Sequence, residues 1–234
     1  MKDTYYGGNI DITRQEAQSY KWQNKWVPET ETDMSIPGGA GGLVSTPDDL
    51  TRFMTALFTG KLVSDSSLHH LIEIRNGRGM DLVDYHFDNR TGFGHNGGID
   101  GFQSQVVYYP QENLATAYTA NGVNTSLNKM MQGVLSIYFN KPYTLPAYPH
   151  IQLKPGELDP FVGIYASKNE DYKIIFTQKD GQLIARFSDE SGLLNLEATS
   201  HNTFIYEQYD LTFIFNSQGQ VIMNEGNKTF TKEK

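Results

Sequence analysis

The sequence predicts an α+β domain, in which helices pack on an antiparallel sheet, followed by a small all-β domain. In residues 1–140, stretches with the apolar period of a helix lie before and after two runs with the alternating pattern of a strand. A proline-rich segment follows, in which neither the helical nor the strand period continues. Short β-runs separated by turn signals fill the remainder of the chain. We therefore assign residues 1–140 to the first domain, 141–155 to a linker and 156–234 to the β-domain.

The first clear element is a helix in "STPDDLTRFMTALFTG". Thr46 is a good N-cap, Pro47 occupies the first helical position, and Gly60 can end the helix in a left-handed conformation. We interpret Asp48 and Asp49 as charges that stabilise the helix N-terminus rather than as a catalytic carboxylate pair. One apolar face follows the helical period: Leu50, Phe53, Met54, Leu57 and Phe58.

The rest of the first domain alternates between helix and strand. A shorter helix is expected near residues 66–74, and two strands over residues 101–109 and 114–119 are separated by the turn sequence "PQEN", which favours an antiparallel pair. A third helix is expected from about residue 126 to residue 138. Its apolar positions form one face: Leu127, Met130, Met131, Val134, Leu135 and Tyr138.

The β-domain is predicted from runs such as "YKIIFTQ", "QLIARFS", "TFIYEQY" and "LTFIFN", which alternate with turn signals. Its aromatic side chains could line a ligand cavity, but at strand spacing they more often form a simple core. We interpret these residues as core: Tyr165, Phe176, Phe187, Phe204, Phe213 and Phe215.

Composition excludes several classes of function. The net charge of -8 argues against nucleic-acid binding, which normally needs a basic surface. The absence of cysteine excludes disulfides, cysteine-ligated zinc and a thiol nucleophile. Adjacent His69 and His70 would point about 100° apart on a helix, and no calcium-loop or H-E-x-x-H motif occurs, so we predict no metal and no cofactor. The start "MKDTYYGG" lacks the apolar core of a signal peptide.

The stretch "GFGHNGGIDGFQSQVVYYP" carries the candidate chemistry. His95 and Asn96 are followed by Gly97 and Gly98, so some backbone there is expected to be bare for the close approach of a ligand. His95 considered alone would more often be an ordinary polar strand residue, and its neighbouring glycines favour the functional interpretation.

Two sequence blocks together resemble the serine β-lactamase and penicillin-binding-protein family, in the branch of class C β-lactamases, D,D-peptidases and esterases. They are "GGAGGLVSTPDDLTRFM" and, some forty residues later, "GHNGGIDGF". The tail "FVGIYASKNEDYKIIFTQKDGQLIARF" resembles the lipocalin-like β-domain that is often appended to these hydrolases. The resemblance implies the C-terminal portion of a β-lactamase/transpeptidase-like fold, followed by a small lipocalin-like barrel.

The resemblance also implies roles for four residues. The family uses a Ser-x-x-Lys, a Tyr-x-Asn and a Lys-Thr-Gly or His-x-Gly motif to form an acyl-enzyme on a peptide, amide, β-lactam or ester. His95, Asn96, Gly97 and Gly98 match the third motif and would bind substrate. Of these, His95 and Gly98 would be catalytic, His95 by its polarity beside the nucleophile and Gly98 by an N–H in the oxyanion hole.

The nucleophile has no matching position in this chain. Ser-x-x-Lys occurs only at Ser126 to Lys129 and Tyr-x-Asn only at Tyr138 to Asn140, and both follow the strand motif instead of preceding it. We interpret both matches as accidental. "MKDTYY" resembles a family segment that comes after the Tyr-x-Asn loop, so the resemblance implies a C-terminal part that is inactive alone. An inactive homologue that binds a ligand, or a structural protein, is the alternative.

The partners and location follow from the same resemblance. It implies a small-molecule or peptide substrate, a missing N-terminal part of the same protein, and a periplasmic, membrane-attached or extracellular location. The strand at residues 114–119 would then lie at an exposed sheet edge, where the chain could associate with itself.

Overall fold

The computed structural model describes residues 1–22, 25–73, 82–143, 151–154, 156–189, 192–224 and 227–233. The chain divides into two compact units, Met1–Val123 and Asn124–Lys234. Residues 144–150 and 155 of the predicted linker lie outside the described residues, as does the predicted end of the second helix at residue 74, and the predicted domain boundaries stay predictions. Within the described ranges, no helix has the length and apolar character needed to cross a membrane.

The first unit is built on a four-stranded antiparallel sheet, in which consecutive strands are neighbours: β5 Val83–Phe87, β6 Arg90–Ile99, β7 Phe102–Tyr109 and β8 Leu114–Ala120. Two further antiparallel pairs lie outside that sheet: β1 Tyr5–Tyr6 with β4 Leu43–Val44, and β2 Tyr20–Trp22 with β3 Trp26–Pro28. The helices are α1 Pro47–Phe58 and α2 Asp65–Ile72.

Helix α1 begins and ends where the sequence predicts. The Thr46 side chain accepts a hydrogen bond from Asp49 N at 3.3 Å, and Gly60 has a φ of 71° just after the last turn. Met54 and Leu57 are buried against β7, where they form a core cluster with Tyr108. Phe53 is the exception to the predicted apolar face, because it is 41% exposed.

Asp49 does more than stabilise the helix N-terminus. It is 1% exposed, and its carboxylate accepts hydrogen bonds from Asp3 N at 2.8 Å, Lys2 N at 3.2 Å and the Thr4 hydroxyl at 2.9 Å. Burial acts to raise the pKa of Asp49, but these hydrogen bonds outweigh it and hold the pKa below its ordinary value. The ionised carboxylate therefore anchors the start of the chain to α1.

The predicted hairpin is confirmed, with β7 and β8 joined through a short 3-10 helix at Pro110–Glu112. Strand β5 and the first half of β6 were not predicted from the sequence pattern. The first half of β6, "RTGFG", contains two glycines, which have low strand propensity. The glycines are required by packing. A Cβ at Gly92 would lie 2.6 Å from Val107, and one at Gly94 would lie 2.0 Å from the carbonyl oxygen of Val106.

The second unit contains helix α3 Leu127–Tyr138 and an antiparallel barrel, which confirms the predicted all-β domain. The barrel closes because β9 pairs with both β10 and β16. Ile151 N donates to the Ala198 carbonyl at 2.9 Å, so one residue of the predicted linker is bonded to the barrel. The strands are β9 Gly163–Ala166, β10 Lys173–Lys179, β11 Gln182–Phe187, β12 Leu194–Ala198, β13 Thr203–Tyr206, β14 Leu211–Phe215, β15 Gln220–Met223 and β16 Lys228–Lys232.

Aromatic side chains fill the barrel interior. Their rings meet mostly edge to face, as between Tyr165 and Phe176 at 5.2 Å, and the preference for core over cavity is confirmed. Phe187 of the predicted set is only partly buried and packs against this core. The buried aromatic members of the cluster are Tyr165, Phe176, Phe204, Phe213, Phe215 and Phe230.

Helix α3 buries only half of its predicted apolar face. Leu127, Met131 and Leu135 are buried, whereas Met130 and Val134 are 43% and 47% exposed. Tyr138 is exposed as well. The hydrophobic period therefore predicts the helix correctly but not how much of the face is covered.

Candidate active site

The four predicted site residues occupy the second half of β6. The strand ends at Ile99 and turns into β7 through Asp100 and Gly101, whose φ values are 50° and 83°. Ile99 is paired with Phe102 across this two-residue turn. Two positive φ values in a two-residue hairpin loop define a type I′ turn, which suits the twist of the two strands.

This turn fixes which backbone groups of β6 face β7. Ile99 and Phe102 flank the turn and form a hydrogen-bonded pair. Along an antiparallel strand, the N–H and C=O groups of successive residues point alternately towards one neighbouring strand and towards the other side. Counting back from Ile99, every second residue bonds to β7. Asn96 and Gly98 therefore direct their N–H and C=O groups to the other side of the strand.

That other side of the strand is an unpaired edge. Strand β5 pairs with β6 only over residues 90–94, so within the described residues nothing pairs with the far side of residues 95–99. His95, Asn96, Gly97 and Gly98 are all exposed. On this edge the Asn96 N–H and the N–H and C=O groups of Gly98 face outwards without a strand partner, beside exposed side chains, and such groups can hydrogen-bond an extended amide or an oxyanion.

The structure brings the four residues together through their backbone, not through their side chains. Neighbouring strand residues point to opposite faces of the sheet, so His95 and Asn96 project in opposite directions. The His95 Nδ1 lies 2.5 Å from the Asn96 carbonyl oxygen. A carbonyl can only accept, so Nδ1 is the donor of this hydrogen bond, and in the neutral form of the ring Nε2 is then an acceptor.

The two glycines of the motif differ in what surrounds them. A Cβ at Gly97 would lie 2.7 Å from the Ser104 hydroxyl oxygen, so part of the reason for glycine there is packing between β6 and β7. At Gly98 the nearest atom to an added Cβ is the Phe102 carbonyl oxygen at 3.9 Å. Gly98 therefore borders open space, as the expected approach of a ligand requires.

A residue that the sequence analysis missed positions the adjacent loop. The Asp100 carboxylate accepts hydrogen bonds from both the backbone N and the hydroxyl of Thr32, each at 2.6 Å. Charge-assisted bonds of this kind are stronger than neutral ones. They hold the start of the glycine-rich loop at residues 33–42 beside the end of β6. The Asp-Gly pair signals a turn, but no local pattern indicates a partner 68 positions away.

A tyrosine cluster lies on the face of the sheet to which Asn96 points. Gln105 is paired with Asn96, is buried, and is hydrogen-bonded to Tyr85. Burial raises the pKa of Tyr85, and likewise that of Tyr109 and of Tyr118. Their hydroxyls therefore stay protonated at neutral pH and do not serve as bases.

The Ser-x-x-Lys and Tyr-x-Asn matches have structural roles. Ser126 is 3% exposed, and its hydroxyl accepts the Lys129 backbone N–H at 3.2 Å as the N-cap of α3. The Lys129 ammonium forms an ion pair with Asp210. Asn140 has a φ of 53° just after α3, a conformation that asparagine tolerates. Within the described part of the chain, no three His, Asp or Glu side chains are grouped to hold a metal ion.

Comparison with known proteins shows a matching family and similar solved structures. The Beta-lactamase family model matches residues 1–132. D-amino acid amidase from Ochrobactrum anthropi, complexed with L-phenylalanine amide, is 25% identical with a TM-score of 0.51, and the match covers 60% of this chain and 47% of that chain. The octameric penicillin-binding protein homologue from Pyrococcus abyssi is 16% identical with a TM-score of 0.50, over 100% of this chain and 56% of that one. The chain thus spans about half the length of these structures.

Proposed function

The chain belongs to the beta-lactamase family, a family of serine hydrolases, and from that membership we propose that it carries the substrate-binding strand of an acyl-transfer active site. The reaction is acyl-enzyme formation on a peptide, amide, β-lactam or ester. The observation that supports this proposal is the free edge of β6, where Asn96 and Gly98 direct backbone groups away from β7. His95, Asn96, Gly97 and Gly98 bind the substrate.

Gly98 and His95 act on the reacting groups. When the serine attacks the substrate carbonyl, the carbonyl oxygen becomes an oxyanion, and the Gly98 N–H donates to it. A donor of this kind contributes about 3 to 4 kcal/mol of transition-state stabilisation, because it is already oriented before the charge develops. His95 presents the Nε2 lone pair to the nucleophile or substrate, since its Nδ1–H is donated to Asn96 O.

The nucleophile of the reaction comes from a part of the hydrolase that is not this chain. Ser126 is nearly inaccessible as the N-cap of α3, and the Lys129 amine is paired with Asp210. On family grounds we place the whole protein in the periplasm, at the membrane or outside the cell. Its partners are a small-molecule or peptide substrate and the nucleophile-bearing part.

This chain alone is expected to hydrolyse neither chromogenic cephalosporins nor nitrophenyl esters above the rate without protein. The physical reason is that the only serine–lysine pair of the right spacing is used for helix capping and ion pairing. Initial rates over a wide range of protein concentration provide the measurement. Turnover that is lost in Ser126→Ala would contradict both this expectation and the role assigned to β6.

Binding of an amide to β6 is the direct test of the proposed site. The amidase relative that was solved with L-phenylalanine amide makes the two enantiomers of phenylalanine amide suitable probes. In an NMR titration of the ¹⁵N-labelled chain, we expect the amide signals of Asn96 and Gly98 to shift, while those of Thr177 on the barrel stay unchanged. Uniform shifts, or none up to the solubility limit of the probe, would reject the assignment.

A further inference from the structure

The glycine-rich loop at residues 33–42 stands beside the end of the candidate site. A Cβ at Gly41 would lie 3.9 Å from the Ile99 Cδ1, so the loop contacts the last residue of β6. Side chains alternate between the two faces of a strand, and Ile99 therefore shares its face with His95. The loop lies on that face, about 7 Å beyond Gly97, because two residues of a strand span this length.

The loop is held in shape by its own hydrogen bonds. Ile36 N donates to the Asp33 carbonyl oxygen at 2.9 Å. The Met34 carbonyl oxygen accepts two bonds, from Gly38 N at 3.1 Å and from the Tyr6 hydroxyl at 2.8 Å. These bonds favour movement of the loop as one body, so its position is set by its attachments to the rest of the unit.

Asp100 supplies the attachment next to the site. Its carboxylate is bonded to both the N–H and the hydroxyl of Thr32, the residue before the loop. The other end of the loop is attached through β4, whose Leu43 pairs with Tyr6 of β1. Because the Asp100 end adjoins the turn after β6, the distance between the loop and the substrate-binding strand depends on this carboxylate.

Given the proposed substrate-binding role of β6, we propose that Asp100 is a positioning residue and that the loop it holds is the specificity-determining wall of the site. An extended ligand on a strand edge directs successive substituents to opposite faces of the sheet, and the substituent on the His95 face meets this wall. Residues 34–42 carry no charged side chain, and Ile36 is 78% exposed. The wall therefore selects amides and peptides with an uncharged, apolar side chain next to the reacting carbonyl.

The amides of glycine and phenylalanine are suitable probes, because they differ in the benzyl group that the wall would contact. In NMR titrations of the ¹⁵N-labelled chain, we expect both probes to shift the amide signals of Asn96 and Gly98. Phenylalanine amide alone should also shift those of Ile36 and Gly41. Its better-binding enantiomer should bind about tenfold more tightly than glycine amide, since part of an aromatic side chain is buried.

Asp100→Asn tests the positioning role. Asparagine followed by glycine is the favoured pair for a type I′ turn, so the turn is retained, whereas the negative charge and one acceptor oxygen are lost. We expect the preference for phenylalanine amide over glycine amide to fall from about tenfold to about twofold. Asp88→Asn is the matched control, since it removes the same charge at a positive-φ position just before β6, and it should keep the preference.

Substitutions of Thr32 address the same hydrogen bonds from the donor side. Thr32→Val removes the hydroxyl donor and should reduce the preference, whereas Thr32→Ser keeps both donors and should not. Tryptophan fluorescence during urea denaturation verifies that each variant is folded.

Two results would overturn the wall while leaving the β6 site in place. In the first, both probes shift the β6 signals but the signals of Ile36 and Gly41 stay unchanged. In the second, folded Asp100→Asn and Thr32→Val variants keep the full preference for phenylalanine amide. If neither probe shifts the signals of Asn96 and Gly98, the proposed function itself is rejected, and the wall with it.

Discussion

Gly94→Ala is expected to destabilise the first unit by about 3 kcal/mol, at the upper end of what overpacking usually costs. The added Cβ would lie 2.0 Å from the carbonyl oxygen of Val106 and 2.8 Å from the Cα of Val107. Both are backbone atoms of β7, so no side chain can rotate to make room. The two strands must separate, and the free energy of unfolding falls accordingly.

Gly98→Ala is the matched control, since it makes the same change four positions later on the same strand. Its Cβ would meet nothing closer than the Phe102 carbonyl oxygen at 3.9 Å, so we expect a change within about 1 kcal/mol. Both tryptophans, Trp22 and Trp26, belong to the first unit, so their fluorescence during urea denaturation follows that unit. Equal stability of the two variants would refute the packing argument.

Features that depend on local sequence were predicted well. The capping of α1 follows from Thr46, Pro47 and Gly60, which act through their own backbone and nearest neighbours. The strands of the all-β domain follow from alternating runs with turn signals between them, whereas their closure into a barrel was expected only from the family resemblance. In each case a pattern of a few residues contains the physical cause of the structure, so no knowledge of distant parts of the chain is needed.

The missed features all depend on contacts between distant residues. "RTGFG" becomes strand because β5 and β7 enclose it, and tertiary pairing overrides its weak propensity. Asp49 was interpreted from its place in α1, whereas its hydrogen bonds reach the first residues of the chain. The bond between Asp100 and Thr32 joins a turn to a loop in the same way. Periodicity carries no information about such partners.

The candidate site in β6 has one feature that the local sequence predicts and one that depends on distant contacts. The glycines after His95 predict bare backbone for a ligand; Gly98 borders open space, whereas Gly97 packs closely against Ser104. What the motif could not indicate is the direction of the free groups, which follows from the type I′ turn at Asp100 and from where β5 ends. The register of a sheet, rather than the identity of the residues, decides which N–H is available.

Gly98→Pro is therefore expected to have the largest functional effect of any single substitution in β6. In a hydrolase completed by the nucleophile-bearing part, kcat should fall about 100- to 1,000-fold, because proline lacks the N–H that we propose as a donor to the oxyanion. The fold should tolerate the change. The Gly98 N–H makes no bond to β7, and proline is accepted on a strand edge that faces outwards.

Gly98→Ala separates the missing donor from other effects of substitution, because alanine keeps the N–H and fits the open space. We expect Gly98→Ala to lose far less activity than Gly98→Pro, and single-turnover acylation measured for both variants gives the comparison at the step where the oxyanion forms. Thermal unfolding of the isolated chain verifies that Gly98→Pro is folded. If a folded Gly98→Pro variant acylates as fast as Gly98→Ala, the oxyanion is stabilised elsewhere, and the free edge of β6 serves only to bind substrate.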